Sequence, residues 1–494
     1  MADYLHGAYG RIEAVPLRVS ATSQNAIVYI GTAPVHTIHG GADNVNKPVI
    51  VENIADAKKR FGYSDDFASY TLCEAMHAHL ERNGVGPLVL INVLDPAKHV
   101  AKNSASKTMT PKNGRITLAE AGSIVLDSLE VKAGSDVKQN GVDYTAAYDS
   151  AKRIITISEL KKGALGTSAL TITYSEVDAS AVTADDVIGG TDDEGVNTGV
   201  YAIKNVYQQT GVIPSFLLAP GFSSIPAVHA AMASASQKIN GHWDAYMFVD
   251  LPIVTSDGEI TLSAASAWKE ANGYNRENET VYFPMADGAD GHKYHLSVLA
   301  AANFQKLLLE QDGIPYRTAS NTECAVISNL YLGENAKGRV YDDTTINEML
   351  CKNGIASAAY VGGRWAIWGC HSADYNQSNA DQINISETNR MMMYYVSNDF
   401  QHRRTPDVDK PMSSNDIASI AAEEQEKLDA LIKIGALIYG EVELDMKLDD
   451  MSDLMSGDYR FAFNLTTTPL AKSMTAVINW TTDGFTTYFE ETAE

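Results

Sequence analysis

The sequence predicts an α/β protein: a core built on a parallel sheet, a small β-sandwich inserted into it, and an α+β domain at the C-terminal end. Three observations lead there. Continuously apolar runs recur at Ile27–Ile30, Leu88–Val93, Ser215–Ala219 and Tyr246–Val249, as expected of strands covered on both faces, whereas half-exposed strands alternate. The stretch from Gly211 to Val254 strings strand, helix and strand together, and a β-α-β crossover implies parallel neighbours with helices on the sheet faces. From about Lys98 the composition shifts to Ser, Thr, Lys and Gly with short alternating runs, the pattern of a small antiparallel sandwich or barrel.

Taken in order, residues 1–20 read as an extended arm with Ile12, Val15 and Leu17 among charges and Pro16. Residues 21–97 form the N-terminal part of the core. They contain the strand at Ile27, the run Pro48–Val51, a short helix around Ile54–Phe61 closed by Gly62, a longer helix from about Phe67 to Arg82, and the strand at Leu88. Residues 98–180 form the insertion, with alternating runs at Ser123–Val131, Val142–Tyr148, Ile154–Ile157 and Ala169–Tyr174. Residues 181–380 form the central α/β domain. Within it, Pro220-Gly221 stops the strand at Ser215, Ser223 or Ser224 can cap a helix with Pro226 in its first turn, and Gly241 supplies the stop. A helix from about Ser263 to Ala271, the strand Val281–Pro284, a long helix carrying Leu296, Leu299, Ala300, Phe304, Leu307 and Leu308, and the aromatic strand Arg364–Gly369 follow.

Residues 381–494 read as the α+β domain with a terminal arm. A helix near Asn389–Phe400 ends in His402-Arg403-Arg404, and Ser413 with Asp416 makes a capping box for a helix carrying Ile417, Ile420, Ala421, Leu428, Leu431 and Ile432. Glu441–Asp445 and Tyr459–Phe463 alternate as strands with one wet face. A last strand, Met474–Thr482, places Met474, Ala476, Ile478 and Trp480 on one face, and Asp483-Gly484 allows a local hairpin onto Phe485–Phe489.

At 494 residues the chain is too long for one core. Its 45% hydrophobic and 20% charged residues are an ordinary globular composition. A net charge of −24 repels phosphates and anionic bilayers, so neither nucleic acid nor direct membrane insertion is expected. Assembly, if it occurs, needs specific surfaces. Four dispersed cysteines (Cys73, Cys324, Cys351, Cys370) suit a reducing compartment. No signal peptide and no bilayer-length apolar stretch is visible.

The chemical inventory is thin. Gly166-Thr167-Ser168-Ala169 matches the nucleophile motif of subtilisin-type proteases, but it falls in a turn of the insertion and lacks the His and Asp contexts that a serine nucleophile needs. The pairs His36/His39, His77/His79 and His292/His295 read as surface or loop residues, with no carboxylate-rich helix face to complete a metal set. Asp287–Gly291 lacks the distal bidentate Glu of a calcium loop. No nucleotide motif occurs, so no cofactor is expected. Cys370-His371 reads as the packed end of a core strand, and Trp365 and Trp368 as core residues. Arg403-Arg404 is either a solvated helix end or an electrostatic contact to a partner.

The ordered motifs carry a resemblance. Ile30-Gly-Thr-Ala-Pro34 on a strand, a helix ending Phe61-Gly62 and another ending Asn83-Gly84 come first. Ile213-Pro-Ser-Phe-Leu-Leu-Ala-Pro-Gly-Phe-Ser223 with Asp250-Leu-Pro252 follows, then Gly313-Ile-Pro315, Ser320-Asn321, Leu350 to Ile355 and Trp368-Gly369. In this order they resemble the contractile tail sheath proteins of bacteriophages, bacteriocins and related injection machines. Cys370-His371 departs from the Arg-Thr that often follows Trp-Gly in that family.

The resemblance implies a subtilisin-like architecture for the core, used structurally, with an outward-facing β-sandwich. It also implies a helical homo-oligomer around a tail tube protein, with baseplate and tail terminator proteins at its ends, contraction that drives the tube through a target envelope, and no catalysis. The location would be the virion tail, assembled in the host bacterial cytoplasm. Terminal arms would join neighbouring subunits through Ile12, Val15, Leu17, Met474, Ala476, Ile478, Trp480 and Phe485. The tube would meet the helix from Ser413 to Leu437 and the residues just before it, through Arg403, Arg404, Ile417 and Lys427. The other reading is an α/β serine hydrolase of subtilisin-like architecture.

Overall fold

The run at Ser215 becomes the strand Pro214–Leu218, buried at every position, and the computed structural model places it in the middle of a large sheet. The structure describes residues 25–336, 338–376, 381–445 and 455–485. Among them, eight strands form this sheet in the order Pro48–Val51, Leu88–Asn92, Ala26–Gly31, Pro214–Leu218, Tyr246–Asp250, Glu279–Tyr282, Ile355–Val361 and Arg364–Trp368. The six inner strands are mutually parallel, and the outermost strand at each side is antiparallel. The sheet is therefore mixed, not purely parallel. At one side the reason is local: Gly362 and Gly363, with φ of 58° and 81°, make a two-residue turn that can only return the chain antiparallel. At the other, Pro48, which has no N–H to donate, is tolerated because its strand is an edge.

Helices Pro226–Ala235, Leu262–Ala271 and Leu296–Glu310 flank this sheet. The first is not capped by Ser223 or Ser224; its N-cap is Ile225, and Ser223 Oγ instead accepts the Asp250 N–H at 3.2 Å. The helix ends at Ala235, short of Gly241, where Ser236 Oγ turns back to the Ala233 carbonyl. The expected helix from Phe67 starts only at Thr71, because Asp66 caps the Ser69 N–H in a turn of its own. From Met76 to Arg82 it widens into a π-helix. That turn carries His77 and His79 inward, which corrects their reading as surface residues. His79 bridges Tyr29 Oη and Gln305 Oε1, both at 2.6 Å, and His77 Nδ1 lies 2.9 Å from Tyr294 Oη. Trp365 and Trp368 are half-buried on an edge strand and pack against the core from its rim. His371 is buried and stacks on Tyr375 with ring centroids 3.7 Å apart.

The segment after Lys98 folds into two small sheets around a hydrophobic core of its own, which includes Ile116, Leu118, Val131, Tyr144, Ile155, Ile157 and Ile172. One sheet orders Val100–Met109, Leu170–Val177, Glu130–Ala133 and Asp136–Lys138; the other orders Arg115–Leu118, Ile154–Glu159 and Tyr144–Asp149. Ser123–Val131 is mainly 3-10 turns, because only Glu130–Ala133 finds a ladder partner. Strand Val100–Met109 carries no apolar alternation, because its Lys, Ser, Asn and Thr side chains lie on an exposed edge. His36 Nε2 (2.9 Å from the Gly122 carbonyl), His39 and the Gly40 N–H (2.8 Å from Asp127 Oδ2) fasten the segment to the core. His36 is thus buried and is not a free loop residue.

The chain divides into two compact units, Met1–Asp416 and Ile417–Glu494. Helix Glu387–Arg404, capped by Ser386, belongs to the first. The capping box forms as expected, with Ser413 Oγ and N–H both on Asp416 Oδ2, and opens helix Ser414–Lys433. In the second unit, Leu437–Leu444 and Phe461–Thr467 pair antiparallel. Gly440 lets the helix lie close: a Cβ there would stand 2.9 Å from Leu428 Cβ.

Candidate functional site

The second unit holds most of the residues that the resemblance marks for assembly. On helix Ser414–Lys433, Glu424, Leu428 and Leu431 are buried, with Ile417, Ile420 and Ala421 half-buried along the same stripe. The stripe continues through Leu437 onto the two-stranded sheet. Two strands alone are marginal in water, so the helix supplies the missing cover on one face. Ile438, Tyr439 and Leu444 stay exposed.

The edge of the sheet has a specific local arrangement. The Asp445 N–H donates to the Arg460 carbonyl at 2.9 Å, so odd-numbered residues of this strand face Phe461–Thr467. By the period of two, Gly440, Val442 and Leu444 face the other way. There the Gln425 side chain accepts the Val442 N–H at 2.9 Å and donates to the Gly440 carbonyl at 3.0 Å. Its second amide hydrogen goes to Asp429 Oδ1, also at 2.9 Å.

Residues 468–481 then run without a ladder partner among the described residues, which corrects the expected last strand Met474–Thr482. The apolar alternation is present, but no described residue covers it. Met474, Val477, Ile478 and Trp480 are 90%, 79%, 92% and 80% exposed, Ala476 is exposed too, and Phe485 is 55% exposed. Residues 483–485 form a helical turn, with the Phe485 N–H on the Thr482 carbonyl; residues 486–489 of the expected hairpin lie outside the described residues. Ile12, Val15 and Leu17 lie outside the described residues.

Of the residues assigned to the tube, Arg403 and Arg404 sit in the last turn of helix Glu387–Arg404, where positive charge complements the helix dipole. Arg403 Nε pairs with Asp399 at 2.6 Å and Arg404 with Asp407 at 3.3 Å, so part of their charge is answered locally. Ile417 is half-buried and Lys427 exposed.

Several ionisable groups of the first unit pair inside the fold. At the carboxyl end of strand Tyr246–Asp250, where α/β folds commonly bind ligands, Asp250 accepts from both the N–H and the hydroxyl of Ser297. Burial pushes its pKa up to about 6. His295 Nδ1 pairs with Glu74 Oε2 at 2.8 Å; burial works against its charge, but the Glu74 carboxylate outweighs it and holds the imidazolium up to about 9. This ion pair also corrects the reading of His295 as a loop residue. Deeper in the sheet, His229 Nε2 lies 2.6 Å from Glu279 Oε2, both buried. Ser168 lies elsewhere, exposed in a bend just before strand Leu170–Val177. Among the described residues there is no group of three or more His, Cys, Asp or Glu that could hold a metal, and no helix long and apolar enough to cross a membrane.

Sequence reasoning missed Gln425. Nothing distinguishes it in a helix rich in Glu and Ala, and only the fold brings it to Gly440 and Val442.

No family model matches the chain. Over 262 residues it is 30% identical to the tail sheath protein of Burkholderia phage BcepMu, covering 52% of this chain and 50% of that one. It thus spans about half the length of the curated relative it matches. Among solved structures, it is similar to a chain of the anti-feeding prophage baseplate, with a TM-score of 0.55 and 14% identity over 97% of this chain and 99% of that one. It is also similar to a chain of the contracted sheath complex of the PVC extracellular contractile injection system, with a TM-score of 0.54 and 10% identity over 98% and 99%. The chain therefore has the fold of contractile injection system sheath proteins and, over 52% of its length, the sequence of a relative of a phage tail sheath protein.

Proposed function

We propose that this chain is the structural subunit of a contractile tail sheath: it polymerises helically around a tail tube and contracts to drive the tube through a target cell envelope. The observation that carries the reading is the 30% identity to a phage tail sheath protein, together with a sheath fold that extends over nearly the whole chain. In this reading the six parallel inner strands are a subtilisin-like framework used for its shape. The tail tube is the partner along the length, baseplate and tail terminator proteins are the partners at the ends, and no cofactor takes part. The polymer belongs to a virion or phage-like tail assembled in a bacterial cytoplasm.

Subunits would be joined by their ends, with Ile12, Val15 and Leu17 from one arm and Met474, Ala476, Ile478, Trp480 and Phe485 from the other. Exposed apolar side chains on an extended, unladdered segment support this, since such a segment gains backbone hydrogen bonds and burial only by pairing. Arg403, Arg404, Ile417 and Lys427 would lie toward the tube. Deleting residues 1–18 or 484–494 tests the linkage. The truncated chain should keep its melting temperature yet sediment as a monomer where the full chain pellets as polymer. A truncation that unfolds the monomer would overturn the assignment for that end.

A further inference from the structure

Among the described residues the two-stranded sheet leaves the outer edge of each strand without a ladder partner, and the Gln425 carboxamide already occupies that of strand Leu437–Leu444. A primary amide carries the same N–H and C=O pair as a peptide unit. Here its oxygen takes the Val442 N–H and its nitrogen gives to the Gly440 carbonyl, the pair of bonds that the C=O and N–H of one residue in a parallel neighbouring strand would make. Asp429 fixes the orientation: a carboxylate oxygen only accepts, so the NH2 end must point toward it and toward Gly440.

We propose that Gln425 is a built-in placeholder that closes this edge in the free subunit and must swing out before an extended segment of a second copy can add there. The incoming segment is residues 474–480, whose alternating and exposed apolar side chains match a strand of this length. The device rests on the reading of the chain as a polymerising subunit. It blunts an edge that would otherwise pair with any extended chain, and it sets a threshold for strand addition without blocking it, because an added strand replaces the two amide bonds and makes more. A chain carrying 24 net negative charges gains from a local guard of this kind, since long-range repulsion fades within a Debye length at cellular ionic strength.

The test uses the full chain, dilute enough to be monomeric, titrated with a fluorescent synthetic peptide of residues 472–482. Gln425→Met keeps the side chain's length and removes the amide. Losing two competing hydrogen bonds should tighten peptide binding about tenfold. Hydrogen exchange should show that the peptide protects the Val442 amide in this variant more than in the parent. Gln425→Ala, and Asp429→Asn, which loosens the carboxamide without removing it, should shift affinity in the same direction. Equal or weaker binding by folded variants, protection that falls elsewhere than Val442, or no binding to any of them overturns the proposal. Tubes that form normally alongside such a result would leave the sheath reading standing. Tight peptide binding by a chain that never polymerises would do the reverse.

Discussion

His295 Nδ1 lies 2.8 Å from Glu74 Oε2 and the His295 N–H donates to the other oxygen of the same carboxylate, although the two residues are 221 positions apart. The pair ties the start of helix Leu296–Glu310 to helix Thr71–Ala75 at the carboxyl end of the sheet, beside Asp250. Glu74 is fully buried there, so its charge is held by this partner and not by water.

A pH dependence follows from its sign. The folded-state pKa of His295, about 9, lies above the ordinary 6.5, so its contribution to stability is complete below pH 6.5 and is lost as pH rises through 9. Asp250, raised from 3.8 to about 6, adds stability in the same direction, present below 3.8 and lost as pH rises through 6. The melting temperature should therefore fall between pH 6.5 and pH 10, and Glu74→Gln should flatten that slope while costing about 3 kcal/mol at neutral pH, because it breaks a buried ion pair and His295 gives up its proton. Thermal melts of both proteins across this range check it; an unchanged slope in the variant would remove Glu74 as the cause.

Much of this framework was legible in the residues. Strand cores such as Leu88–Asn92 and Tyr246–Asp250 are apolar at consecutive positions because both faces are covered, and the Ser413/Asp416 box is a local hydrogen-bond pattern. What was hidden depends on distant partners. The π-helix at Met76–Arg82 exists where His79 reaches Tyr29 and Gln305, and strand Val100–Met109 is held by Leu170–Val177 and not by its own hydrophobicity. In the C-terminal segment proposed for assembly the alternation of Met474, Ile478 and Trp480 could be read, but their exposure and the Gln425 clasp could not, since both are set by what lies beside them in space.

Ser168 should not react as a nucleophile. It is exposed in a bend before strand Leu170–Val177; the His229–Glu279 and His295–Glu74 pairs lie inside the core, and the exposed His39–Asp127 pair fastens the insertion to it. A fluorophosphonate probe should leave it unlabelled; labelling abolished by Ser168→Ala would argue for the hydrolase reading instead.

The β-rich segment at 98–180 should be separable. It carries its own hydrophobic core and is fastened to the sheet-bearing part through polar contacts at His36, His39 and Gly40. Excising it and joining the cut ends should leave a soluble subunit that still pellets as polymer. A shortened chain that folds but stays monomeric would show that the segment makes a necessary contact between subunits.

Polymerisation into a sheath is tested most directly by negative-stain electron microscopy of the purified chain. Hollow, transversely striated tubes of uniform width are expected. Dispersed single subunits or small closed rings, at every concentration and with the chain fully folded, would contradict it.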